Sequence, residues 1–520
     1  MIRSILRRTA GVALVSVFSM AAPAQKPALF QFQAQPGPHP VGLKVVEQYD
    51  YSRTYRSAVD ELGKPYTGER ARPIQTLIWY PSAKVETKPM TAGGYVDLLA
   101  TETAFDKPNP ELAKETRANL APSLASQLWA HRDAPLEAGR FPVVIYAPSF
   151  SAPSWENADL CEFLASYGYV VIAGPNLGAR TREMTPDVDG INAQARDIGF
   201  LIGYALSLPD TDMSELAVAG YSWGGISNLF AAARDSRIKA LVAWDGSLRY
   251  FPGLVKSAGD IHPEQMTIPL IDLIQGEFTI EDQEREIKDL DKPNVLNAWT
   301  HGDLTTVHLL GMAHEEFSTI DQRDESFWRS FPSMQKADYT REEGAVGYQW
   351  AAQYTLEFLN TYLKHDATAM AFLKKTPAEN GAPRHFLTAS FRPAKGLPQT
   401  LETFRAALGR QGFDHAGEIY AAMRKENGEF KADEFNLNSW ARLLVEGSHF
   451  RESIELEKFT LQLYPESSDS YDILGEAYRK SGEKRLAVES YQKSLGKNPD
   501  DQEAKDRLQE LQGNGAAKDK

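Results

Sequence analysis

Between positions 74 and 310 the chain alternates short, nearly continuous apolar runs with stretches of helical period. The runs fall at 75–80, 143–146, 170–173, 216–219, 240–244, 270–274 and 305–309. A strand with one wet face alternates apolar and polar positions, whereas these runs are nearly continuous in apolar character, as strands covered on both faces are. The pattern therefore predicts an α/β domain, a mostly parallel sheet with helices packed on each side. Segment 84–140, between the first two runs, holds Pro, Ala and helix formers and is too long for a simple connection. It reads as a helical insertion over one end of the sheet.

Beyond residue 400 the strand signal stops, and Leu, Ala, Glu, Lys and Arg recur at helical spacing up to residue 512. Pro465 and Pro499 stand 34 residues apart, and segment 468–501 carries Tyr471, Leu474, Gly475, Tyr478, Ala487, Tyr491 and Pro499. These positions resemble a tetratricopeptide repeat, in which small residues let paired helices touch and aromatics fill the space between repeats. The preceding window, 434–467, matches at Trp440, Ala441 and Leu444 but has Ser453 and Glu457 where a small apolar and an aromatic residue are expected. A third helical pair is expected near 401–425.

At the other end, Arg3, Arg7 and Arg8 precede an apolar run from Ala10 to Met20 and the triplet Ala22-Pro23-Ala24. That order is the signature of a secretory signal, and the run is shorter than the roughly 20 residues a membrane-spanning helix needs. The expected division is a signal peptide at 1–24, a Pro- and Gln-rich leader at 25–41, and an α/β domain at 42–375. A linker at 376–399, a helical module at 400–512 and a tail at 513–520 complete it. The expected location is periplasmic or extracellular, with no membrane span left after cleavage.

With 520 residues the chain exceeds one ordinary core, and its 42 % apolar and 24 % charged residues are in the globular range. A net charge of −14 argues against nucleic acid as a partner, because phosphate recognition needs concentrated Lys and Arg. The lone Cys161 rules out an intramolecular disulfide and sits in an apolar stretch as a packed helix residue would.

The strongest chemical signal is Leu216-Ala217-Val218-Ala219-Gly220-Tyr221-Ser222-Trp223-Gly224-Gly225, followed by helix-like residues 226–233. Strand, Gly-x-Ser-x-Gly turn and helix in that order make a nucleophile elbow, which presents the hydroxyl of Ser222 at a helix start where positive dipole charge favours an oxyanion. The base must follow the last strand. His308 lies inside an apolar run, where a packed core histidine is expected, whereas His314 follows in a Gly-containing loop. Two carboxylates compete as the acid that orients it: Asp245, directly after the run 240–244, and Glu277, after the run 270–274. Tyr221, Tyr250 and Phe251, close to the same sheet edge in sequence, are candidate substrate-lining residues. His301-Gly302-Asp303 and the acidic run 281–286 lack metal-ligand spacing.

Several blocks together resemble the platelet-activating-factor acetylhydrolase and dienelactone-hydrolase-like branch of the α/β-hydrolases. They are Trp79-Tyr80-Pro81, the segment 142–146, the segment 164–171, the elbow, 240–245, and Gly311-Met312-Ala313-His314. The resemblance implies an α/β-hydrolase fold, an acid drawn from the strand after the elbow, hence Asp245, and an oxyanion hole from the N–H groups of Trp223 and Phe150. One block departs from it. Where that branch has a His-Gly pair, this chain has Ala147-Pro148-Ser149-Phe150-Ser151. The expected activity is carboxylic ester hydrolysis through an acyl-enzyme, without a cofactor, on a small-molecule or lipid ester. A repeat-bearing adaptor with a weak hydrolase domain, or a peptidase of the same fold, is the alternative, and the repeats would hold a protein or peptide partner.

Overall fold

The computed structural model describes residues 30–60, 62–83, 87–276, 294–330 and 339–513. The expected signal at 1–24, Glu277, the acidic run 281–286 and the tail beyond 513 lie outside the described residues. The strands are β1 (Val41–Thr54), β2 (Ala71–Pro81), β3 (Ala130–Arg132), β4 (Phe141–Ala147) and β5 (Val170–Ala173), then β6 (Thr211–Tyr221), β7 (Ile238–Trp244), β8 (Leu270–Gln275), β9 (Leu304–Leu309) and β10 (Leu387–Arg392). They form one ten-stranded sheet in the order β10-β9-β8-β7-β6-β4-β5-β2-β1-β3. Strands β5, β4, β6, β7, β8 and β9 are parallel to their neighbours in that order, β2 pairs antiparallel with β5 and β1, β10 pairs antiparallel with β9, and β3 runs parallel to β1 at the edge.

Alternate side chains of each central strand go to opposite faces, and both faces are dry. Val144, Tyr146, Ala217 and Ala219 join one apolar cluster with α1 (Ala158–Ser166), whereas Val143, Ile145, Leu216 and Val218 join another with α2 (Val188–Ala205) and α3 (Trp223–Arg234). Helix α4 (Arg341–Leu363) covers the first face through Tyr348, Ala351, Ala352 and Phe358. Cys161 is fully buried in α1, as its apolar setting implied.

All seven expected strands are present, and three others are additional. β1 is long and half wet, and its polar stretch Glu47-Gln48-Tyr49-Asp50 hides the strand signal, but it pairs with β2 from Val41↔Pro81 to Asp50↔Arg72. β10 lies in the stretch 376–399 that composition reads as a linker, so the α/β domain extends at least to Arg392. It pairs with β9 from Leu387↔Leu309 to Arg392↔Leu304. The leader likewise differs: its described part is docked, with Phe30 buried against the ring of Tyr348 and the Gly37 N–H donating to Ser166 Oγ. Phe30 and Phe32, whose rings both pack edge-on against Tyr348, outweigh the Pro- and Gln-rich composition around them. The insertion at 84–140 holds short helical turns and β3; its Tyr95 accepts from Trp79 Nε1 at 2.8 Å and donates to buried Glu162 at 2.6 Å.

The C-terminal region is all helical: α5 (Leu401–Gln411), α6 (Ala416–Glu426), α7 (Glu434–Glu446), α8 (Phe450–Leu463), α9 (Ser468–Ser481), α10 (Lys484–Lys497) and α11 (Gln502–Gly513). The first residues of α7, α9 and α11 are spaced by 34, as are those of α8 and α10. A Cβ on Gly475 would come within 2.9 Å of the Tyr491 ring, so only glycine lets α9 and α10 close on that aromatic. These helices have an apolar cluster of their own.

Candidate active site

The C-terminal ends of β4, β6 and β7 and the loop after β9 converge on Ser222. The serine caps α3 with φ 52° and ψ −120°, a conformation that costs about 1–3 kcal/mol for a non-glycine residue and persists only where packing enforces it. That enforcement is visible at the flanking glycine. A Cβ on Gly224 would lie 2.0 Å from the Ala147 carbonyl oxygen, so the elbow can seat against the end of β4 only without a side chain there.

His314 begins a short helical turn, His314–Phe317, after β9, and its Nε2 lies 2.9 Å from Ser222 Oγ. Its Nδ1 lies 2.6 Å from Asp245 Oδ2. Asp245 follows β7 with its side chain at 0 % exposure, while that of His314 is 30 % exposed, so the pair has a dry side and a side open to solvent. The other Asp245 oxygen accepts from Arg249 at 3.3 Å, Tyr250 Oη at 3.2 Å and the Gln275 N–H at 3.4 Å. Burial pushes this carboxyl upward, but the hydrogen bond and charge of His314, with Arg249, leave its pKa below the usual range. Burial lowers the imidazole, and Asp245 with Glu315 and Asp321 more than reverses it, so His314 is raised. The histidine accordingly has one nitrogen fixed by a carboxylate and the other aimed at a hydroxyl, the arrangement that lets a neutral imidazole take a proton from serine.

Of the two candidate acids, Asp245 contacts His314, whereas Glu277 lies outside the described residues. Two of the three candidate substrate-lining residues contact this machinery. Tyr221 is buried and donates to the His314 carbonyl at 2.8 Å, and Tyr250 faces Asp245. Phe251 packs edge-on against Trp223, with ring centroids 5.4 Å apart, and Phe150 does so from another side at 5.5 Å. Trp223 and Phe150, the expected oxyanion donors, are thus neighbours. The Trp223 N–H heads α3, where backbone donors have no partner within the helix.

Sequence reasoning missed Arg249, Gln275, Glu156 and Asn157. Arg249 follows Asp245 by one helical turn's spacing, the only trace it leaves in the sequence. Asn157 is fully buried and makes four bonds: to Tyr146 Oη at 2.7 Å and the Phe317 carbonyl at 2.9 Å as donor, and from the Thr319 N–H at 3.0 Å and Tyr348 Oη at 3.1 Å as acceptor. It thereby ties the segment after His314 to β4 and α4.

A family model described as Chlorophyllase matches residues 111–245, a span that includes the elbow and Asp245. A protein of Methylorubrum extorquens provisionally named carboxymethylenebutenolidase is 27 % identical over 135 residues, 23 % of this chain and 45 % of that one. Proteins with the same provisional name from Yersinia pestis and Escherichia coli K12 are 30 % identical over 140 and 139 residues, 24 % of this chain in each case and 52 % and 51 % of theirs. The chain spans about half the length of the curated relatives it matches. A ferulic acid esterase from Streptomyces cinnamoneus superposes with a TM-score of 0.50 at 18 % identity, over 70 % of this chain and 99 % of that structure. The fold is that of the α/β-hydrolases, and the sequence relatives are esterase-like members of that class.

Proposed function

We propose that this chain is an exported serine hydrolase of carboxylic esters. The observation that carries the reading is the continuous hydrogen-bonded line from Ser222 Oγ through His314 to buried Asp245, on a strained elbow at a helix start. In the proposed cycle His314 Nε2 takes the Ser222 proton as Oγ attacks the ester carbonyl. The N–H groups of Trp223 and Phe150 receive the oxyanion. Collapse breaks the C–O bond to the alcohol, which leaves with the proton held on His314, and an acyl-serine remains. A water then gives its proton to His314 and attacks the acyl carbon, and His314 returns the proton to Ser222 as the acid departs. Asp245 stays ionised throughout and stabilises the imidazolium. The names of the relatives and of the structural neighbour support an ester as substrate.

Export rests on the basic, apolar and small-residue order of residues 1–24; N-terminal sequencing of the secreted protein tests it, with a start near Gln25 expected. The 34-residue helix period supports a tetratricopeptide-like module that docks a protein or peptide. The esterase reading is tested by turnover of p-nitrophenyl esters of increasing acyl length beside Ser222→Ala. Turnover that falls by roughly 10⁴-fold or more in the variant is expected. A folded parent chain that hydrolyses none of the series would overturn the reading.

A further inference from the structure

The segment Ala147-Pro148-Ser149-Phe150-Ser151 lacks glycine, yet it has to aim one backbone N–H at the place where charge would develop. Its own geometry supplies a means. Ser149 to Ala152 form a tight turn closed by the Ala152 N–H on the Ser149 carbonyl at 3.2 Å, and Ser151 holds a φ of 55° in it. The Ser149 carbonyl and the Phe150 N–H belong to one rigid peptide plane and point in opposite directions. Whatever fixes that carbonyl therefore fixes that N–H.

The carbonyl is fixed from behind by Asn176, which has 0 % exposure and whose Nδ2 donates to it at 2.8 Å. The Asn176 backbone N–H donates to the Ala152 carbonyl at 2.9 Å, so one residue holds both ends of the turn. Glu156, 4 % exposed, holds the residue before Phe150 with both oxygens: the Ser149 N–H reaches Oε2 at 2.8 Å and Ser149 Oγ reaches Oε1 at 2.5 Å. Gln194 donates to the Pro148 carbonyl at 2.8 Å. On the far side Arg182 donates to the Ser151 carbonyl at 2.8 Å and pairs at 2.9 Å with Glu102, which is buried within the helical insertion. Each bond onto this loop is to its backbone or to Ser149, and none reaches Ser222 or His314.

We infer that Asn176 and Glu156 are positioning residues for the oxyanion hole: together they set the Ser149–Phe150 peptide plane so that its N–H faces the reacting carbonyl. This rests on the proposed ester hydrolysis. In place of glycines that let the backbone adopt the required turn, this chain uses buried side chains that hold it there.

Asn176→Leu keeps the approximate shape and removes the side-chain donor, Glu156→Gln keeps the shape and removes one acceptor, and Ser149→Ala is a milder change to the same contact. The three are compared with the parent chain in ester turnover and in inhibition by an alkylboronic acid, which forms a tetrahedral adduct with serine. Asn176→Leu is expected to lower kcat by about 10²-fold, the order seen on losing one oxyanion donor, with KM within about twofold and boronate affinity falling in step with kcat. Glu156→Gln and Ser149→Ala should move the same way by smaller factors, and in Ser149→Ala, which adds or removes no charge, the pH midpoint set by His314 should stay in place. A general loss of structure would instead lower the melting temperature and the fraction of active serine at unchanged kcat per active site. Parent-like kcat and boronate affinity in both Asn176→Leu and Ser149→Ala would overturn the inference. Ester turnover surviving Ser222→Ala would overturn the reading it rests on, so the two failures are distinguishable.

Discussion

His314 is acted on by opposing influences whose balance sets a pH dependence. Its neutral form is the one that can accept the Ser222 proton, and the neighbouring carboxylates, Asp245 first, leave its pKa raised above 6.5. Activity should therefore rise with pH through a midpoint above 6.5 in a kcat/KM profile. Asp245→Asn removes the charge that stabilises the imidazolium and favours the wrong tautomer, and should lower kcat by roughly 10⁴-fold. Asn157→Ala would take a buried hydrogen-bond partner from Tyr146 Oη, Tyr348 Oη, the Phe317 carbonyl and the Thr319 N–H. Its expected effect is a loss of about 3 kcal/mol in denaturant unfolding. At this scale Ser222 and His314 were legible because a strand-turn-helix pattern and chain order constrain them. Asp245 was legible as one of two, through its place after a strand. Arg249, Glu156, Asn157 and Asn176 were not, since an asparagine whose bonds run to distant backbone has no local sequence pattern.

Elements were legible where both faces are buried and hidden where one is wet. The seven apolar runs all became strands, whereas β1 and β10 carry polar residues among their apolar ones and serve as edge or near-edge strands. In the helical region the two positions that depart from the repeat pattern differ in outcome. Ser453 is accommodated by donating to the Ala441 carbonyl at 3.0 Å. Glu457 is at 0 % exposure, and burial pushes its carboxyl up to about 8. A carboxyl that is raised on folding binds its proton more tightly in the folded state, so its contribution is present below 4.5 and lost as pH rises toward about 8. Melting of the chain at pH 5 and pH 8.5 should therefore give a helical region that is weaker at the higher value. Glu457→Gln should remove most of that difference, stabilising the region by about 1–3 kcal/mol at pH 8.5.

Over the whole molecule the apolar clusters divide into the two faces of the sheet and a third confined to the helical region. A chain ending at residue 399 should consequently retain the sheet and the proposed ester hydrolysis, while one ending at 375 loses β10, exposes the β9 edge and should aggregate; size-exclusion chromatography of the two separates these outcomes. The division into an α/β part and a helical part was legible from composition and period, but its boundary was misplaced because a short, mixed-polarity strand resembles a linker. The central claim, that Ser222 is an activated nucleophile, is tested most directly by treating the intact chain with a fluorophosphonate and mapping the adduct by peptide mass. A single adduct on Ser222, absent from Ser222→Ala and slowed in Asp245→Asn, is the expected result. A folded chain that takes up no adduct, or takes it up on another residue while Ser222 stays unmodified, would contradict the account.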